Sequence, residues 1–142
     1  MPRVLVVDDE AAIRESLRML LKGECEVEVA HDADSALLSI SRSTPDLILL
    51  DVVMPGRSGL DLLSELGERG IERPVIVLTA TNTISVAVQA MKLGAVDFLT
   101  KPFEIDALRI KVRQLLEHRR LADEVVRLRD EVEDRQQLGR LV

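Results

Sequence analysis

The sequence predicts an α/β domain in which a five-stranded parallel sheet is covered by helices on both faces. Five short strand-like runs, four of them apolar and one alternating, interleave with stretches of helical period. Three of these runs, Val4-Leu5-Val6-Val7, Leu47-Ile48-Leu49-Leu50 and Val75-Ile76-Val77-Leu78, are apolar at every position, as strands buried on both faces are. Four runs end on residues able to do chemistry: Asp8-Asp9, Asp51, Thr79 and Lys101. Strand–helix alternation favours a parallel sheet with right-handed crossovers. Ligands of such an open sheet bind beyond the carboxyl ends of its strands.

The first strand is expected over Arg3–Asp8, followed by a helix through Ile13, Leu17, Leu20 and Leu21 that stops near Gly23. Cys25–Ala30 alternates Glu with Val and reads as a strand near a sheet edge. Asp32 is placed to cap a helix through Ala36, Leu37 and Ile40, which Ser43-Thr44-Pro45 ends. The buried strand Leu47–Leu50 leads to the loop Met54-Pro55-Gly56-Arg57-Ser58-Gly59 and a helix over Leu60–Glu68. A strand at Pro74–Leu78, a helix at Ile84–Leu93 closed by Gly94, and a strand at Val96–Thr100 follow. A last helix starts near Glu104.

A chain of 142 residues fits one domain with an appendage. Its core must be aliphatic, because Phe98 and Phe103 are the only aromatic side chains. The net charge of −6 falls entirely within residues 1–103, and residues 104–142 are neutral overall. No basic patch stands out, so direct nucleic-acid binding is not expected. The single cysteine, Cys25, excludes an internal disulfide and fits a reducing compartment, with a small buried strand residue as its plain role. No apolar run reaches ~18 residues, and Met1-Pro2-Arg3 leads directly into the first strand. Neither a membrane span nor a signal peptide is expected, and the cytoplasm is the expected location.

The strand ends form one constellation. Asp8-Asp9, the run Leu50-Asp51-Val52-Val53-Met54-Pro55-Gly56, Thr79-Ala80 and Lys101-Pro102 resemble the receiver domain of bacterial two-component response regulators. The resemblance covers about residues 3–120, with the motifs in the family's order. It implies a doubly wound, flavodoxin-like (βα)5 sheet of strand order 2-1-3-4-5. It also implies phosphorylation of one aspartate by a sensor histidine kinase.

Asp51, at the end of the central strand, is the expected phosphoacceptor, since a carboxylate can form an acyl phosphate. Asp8, Asp9 and Asp51 offer the hard oxygens that Mg²⁺ prefers. The resemblance adds the backbone carbonyl of Val53 as a further ligand. Lys101 would pair with a phosphoryl oxygen as a point charge, and Thr79 would hydrogen-bond another. The resemblance also makes Thr79 and Phe98 switch residues and the Lys101-Pro102 bond cis. Plainer readings stand beside these. Asp8-Asp9-Glu10 could cap the first helix, Asp51 could form a turn, Phe98 could be a buried strand aromatic, and Pro102 could open the last helix in trans. Their joint position favours the site, because two carboxylates ~4 Å apart at an effective dielectric of ~20 repel by about 4 kcal/mol. His31 and His118 lack partners at ligand spacing and read as surface residues. A haloacid-dehalogenase-type phosphatase also forms an aspartyl phosphate with Mg²⁺, but that family has a second carboxylate where this chain has Val53.

The last helix should outrun the receiver, because no Gly or Pro occurs between Phe103 and Gly139. Leu108, Val112 and Leu115 can cover the sheet, and Leu121, Val125, Leu128 and Val132 then repeat at 4-3-4 spacing, a coiled-coil seam. In that register Glu124 takes a g position and Arg129 the next e position, which suits a parallel homodimer; a solvated helical linker is the alternative. Residues 1–120 are thus expected to form the receiver and 121–142 a helical linker to an output domain. The linker resembles that of sigma-54-dependent transcription activators, which implies downstream ATPase and DNA-binding domains. No GxxxxGK[ST] phosphate loop occurs in these residues, so the piece itself would be regulatory.

Overall fold

The computed structural model of the chain describes residues 1–54, 56–80 and 84–140, with side chains through residue 129. Strands β1 (Arg3–Val7), β2 (Glu26–Ala30), β3 (Leu47–Asp51), β4 (Val75–Ala80) and β5 (Asp97–Lys101) alternate with helices α1 (Ala11–Leu21), α2 (Ala33–Arg42), α3 (Gly59–Glu68), α4 (Ile84–Lys92) and α5 (Ile105–Arg140). The strands form one parallel sheet of order β2-β1-β3-β4-β5. This is the expected flavodoxin-like, doubly wound order, with the Glu/Val-alternating strand at an edge.

The period-2 geometry of each strand divides the core into two layers. Leu5, Val7, Ile48, Leu50, Val75 and Val77 face α2 and α3 through residues such as Leu37, Ile40, Leu62 and Leu66. Val4, Val6, Leu47, Leu49, Ile76 and Leu78 face α1 and α5 through Leu17, Leu21, Leu108 and Val112. Each fully buried aliphatic side chain of this size contributes about 1.5–3 kcal/mol over its exposed state.

Local signals set the helix ends. The Asp32 side chain accepts the Ser35 N–H at 2.7 Å, as expected for a cap. Ser58 and Asp61 form a reciprocal capping box at the start of α3. Gly23 and Gly94, the expected helix stops, have φ of +92° and +113°, where glycine is favoured.

Several boundaries shift from expectation. β4 extends to Ala80 and β5 to Lys101, because Thr79 pairs with Thr100 and Ala80 with Lys101 in the ladder. Cys25 is buried but precedes β2, bridging to Lys22 instead. α5 passes residue 120 without a break and is about 54 Å long. Leu108 and Val112 are buried and Leu115 is half-buried, whereas Leu121, Val125 and Leu128 are exposed. Val132 lies outside the described side chains. His31 and His118 are exposed as expected. Among the described residues no helix is long and apolar enough to cross a membrane.

Candidate functional site

The carboxyl ends of β1, β3 and β5 bring three charged residues together. β1 ends at Val7, so Asp8 is the first residue beyond it; Asp51 closes β3 and Lys101 closes β5. The aliphatic runs before Asp8 and Asp51 fix β1 and β3 in the core, the half-buried edge strand β5 is set by its pairing with β4, and the register then leaves the polar residues at the rim. Lys101 Nζ donates to Asp8 Oδ2 at 2.7 Å and to Asp51 Oδ2 at 3.3 Å. Asp8 has no solvent exposure and Asp51 only 5%. Two buried carboxylates on one ammonium form a compact charge cluster, a costly arrangement that needs good geometry to persist.

Burial pushes the Asp51 carboxyl up to about 6; the Val53 N–H and the Lys101 charge oppose that rise, and the Asp8 charge adds to it. Burial works against the Lys101 ammonium, but its hydrogen bond to Asp8 and the Asp51 charge outweigh this and hold its pKa above the ordinary lysine value. Asp51 is thus a carboxyl group relieved of most of its water, accepting a backbone N–H bond from Val53 at 3.0 Å on Oδ1 and the Lys101 ammonium on Oδ2.

The Asp8-Asp9-Glu10 turn is bound into the structure. Asp8 Oδ1 accepts the Glu10 N–H at 2.9 Å, the Asp8 N–H donates to the Ala30 carbonyl, and Arg14 Nη1 donates to the Asp8 carbonyl at 2.7 Å. Glu10 occupies the N-cap of α1 without a side-chain cap bond of its own. Asp8, Asp9 and Glu10 can each offer one oxygen, all within 4.8 Å of one another, with Asp8 buried and the other two exposed. Hard oxygens open to water on one side fit Mg²⁺, which keeps several waters. Asp51 stands outside that trio and is linked to it through Lys101.

Thr79 is fully buried on β4, the strand between β3 and β5, and its hydroxyl donates to the Ala80 carbonyl at 3.5 Å. Phe98 is not brought to the pocket. It lies three residues before Lys101, an odd spacing that puts it on the other face of the strand, half-buried against the α2–α3 layer. The Lys101-Pro102 peptide is cis.

Three contributors were not foreseen. Arg14 grips the Asp8 backbone, Glu10 joins the acidic trio, and Gly59 is pressed against the strand that carries Asp51. A Cβ on Gly59 would lie 2.6 Å from the Asp51 carbonyl oxygen and from Val52 Cα. The Gly59 N–H also donates to the Val52 carbonyl at 3.1 Å. Gly59 is the first residue of α3, where the loop from β3 ends, and no spacing rule there indicates how closely α3 approaches β3.

The chain is similar in sequence and fold to known proteins. Residues 4–113 match the response regulator receiver domain family. The response regulator MprA of Mycobacterium ulcerans is 42% identical over 123 residues, 86% of this chain and 53% of that protein. The receiver domain of NtrX from Brucella abortus is 40% identical with a TM-score of 0.75, over 80% of this chain and 98% of that one. The longer NtrX chain, crystallised in complex with ATP, is 39% identical with a TM-score of 0.80 and overlaps 87% of this chain and 29% of its own. The chain spans about half the length of the curated relatives it matches. It belongs to the receiver domain family of two-component response regulators, and it is a signalling domain.

Proposed function

We propose that Asp51 accepts a phosphoryl group from a sensor histidine kinase and that residues 121–142 transmit the change to an output domain. The observation that carries the first half is the Lys101 ammonium shared between buried Asp8 and Asp51. An Asp51 oxygen attacks phosphorus, the donor's P–N bond breaks, and its electron pair returns to the imidazole. Asp8 and Asp9, with Asp51 and the Val53 carbonyl, would hold Mg²⁺, which would supply positive charge against the phosphoryl oxygens. Lys101 exchanges its contact with Asp51 for a phosphoryl oxygen, and Thr79 donates its hydroxyl to another. Phe98, on the strand that ends at Lys101, relays the change towards the surface of α4, β5 and α5.

For the output, exposed Leu121, Val125 and Leu128 support a short parallel seam, continued at Val132, through which two copies pair. Glu124 is held by Arg127 of its own helix, so a bond across the dimer would have to displace that contact. The long α5 and the likeness to NtrX, a protein crystallised with ATP, support a sigma-54-type ATPase and a DNA-binding domain downstream. The likeness to MprA supports a second reading, a receiver serving another output class.

Incubating wild type and Asp51→Asn with Mg²⁺ and acetyl phosphate, then weighing the intact proteins, tests the core of this. Wild type should gain one phosphoryl group and the variant none; a variant that still gains one refutes Asp51 as acceptor.

A further inference from the structure

At the end of the sheet opposite the acidic pocket, the segment before β4, the α4–β5 turn and α5 enclose a groove of about 580 Å³. β4 leaves its wall at Val75 and reaches the rim at Thr79-Ala80, so groove and pocket lie ~15 Å apart along one strand. The walls are apolar: Leu66, Ile71, Leu93, Val96, Leu115 and Ala122. Leu93 and Val96 keep 42% and 46% of their surface in water, at a turn where polar residues would cost nothing.

The charges around this groove are unequal. Arg119 Nε is held by Asp46 at 3.3 Å. Glu72 and His118 lie on the lining, and Asp123 borders the polar recess beyond Arg73 and Arg119. Among the described residues no hydrogen bond or ion pair engages Arg73, and its Nε–H is buried without an acceptor. Buried donors are nearly always satisfied, and a guanidinium beside apolar surface is suited to a planar or tetrahedral acid group.

We infer that this groove binds a small amphiphilic anion, with Arg73 taking its acidic group and Leu93, Val96 and Leu115 its apolar body. The volume lies in the range of roughly 300–1,000 Å³ typical of small-molecule sites, and apolar walls with one placed charge are their usual composition. A single unengaged cation beside Glu72 suits one acid group and does not suit a polyanion.

The test uses fluorescence titration of the 142-residue chain with two dyes of like ring structure, anionic anilinonaphthalene sulfonate and neutral phenylnaphthylamine. Wild type should bind the anionic dye saturably at one site. Arg73→Gln should weaken that binding about tenfold while leaving the neutral dye unchanged, the loss of one charge-assisted contact. Val96→Glu should weaken both dyes. Uptake of one phosphoryl group by both variants shows that they fold. Absence of saturable binding, or equal affinity of wild type and Arg73→Gln for the anionic dye, overturns the proposal. Self-association of wild type that Val96→Glu abolishes also overturns it, assigning the groove to a second copy.

Discussion

The pocket at the strand ends and the outer half of α5 are both built from side chains that the sheet does not cover, yet they are held in opposite ways. Lys101 meets Asp8 and Asp51 across 93 and 50 residues of chain; the two acids follow or close strands buried in the core, and Lys101 closes the half-buried edge strand β5 that pairs with β4. Leu121, Val125 and Leu128 come from one continuous helix and are about half exposed, with no strand beneath them. Long-range packing therefore preorganises the charged pocket within one molecule, whereas the local repeat of the tail has no partner surface within its own molecule among the described residues, and the proposed dimer would supply one. Two heptads are too short to pair strongly by themselves. A change at the pocket then needs to shift only a small free energy to alter pairing: about 1.4 kcal/mol changes the population ratio tenfold.

The largest effect should come from removing the shared cation. Lys101→Met leaves Asp8 and Asp51 buried without their counter-charge, a loss of about 3–5 kcal/mol in urea unfolding without divalent metal. Mg²⁺ should restore part of it, about 1.6 kcal/mol at ~15 Kd, and should fail to do so when Asp9→Ala is added. A Lys101→Met protein as stable as wild type would mean that the pocket is not preorganised by that charge.

Gly59→Ala should come next, at about 1–3 kcal/mol, because the new methyl collides with the backbone of Asp51 and Val52 and no flexible side chain can yield. The same variant should take up phosphoryl groups more slowly. Unchanged stability and rate would show that α3 and β3 can separate freely.

The smallest effect on folding belongs to the tail. Leu121→Asp with Leu128→Asp should alter stability by less than about 0.5 kcal/mol, since neither side chain is buried. Analytical ultracentrifugation should nonetheless show the dimer of residues 1–142 reduced to monomer, matching residues 1–120. Monomers at both lengths, with and without phosphorylation, would make the tail a plain linker.

Much of this was legible because the strands are unusually uniform. The continuous runs at Val4–Val7 and Leu47–Leu50 could only be two-sided strands, and the residues that end them could only lie at one rim. The Glu/Val alternation of β2 marked an edge for the same reason. Arg14, Glu10 and Gly59 stayed hidden because their roles depend on approach distances between elements, which periodicity does not encode. β4 and β5 run past their expected ends because Thr79, Ala80 and Lys101 look like loop residues until the ladder pairs them.

The central claim is that phosphoryl chemistry falls on the one carboxylate bonded to both Val53 N–H and Lys101. Borohydride reduction of the phosphorylated protein converts an aspartyl phosphate to homoserine, which peptide fragmentation then locates. Homoserine at position 51 alone is the predicted result. Homoserine at position 8 or 9, or at any other aspartate, would contradict the account.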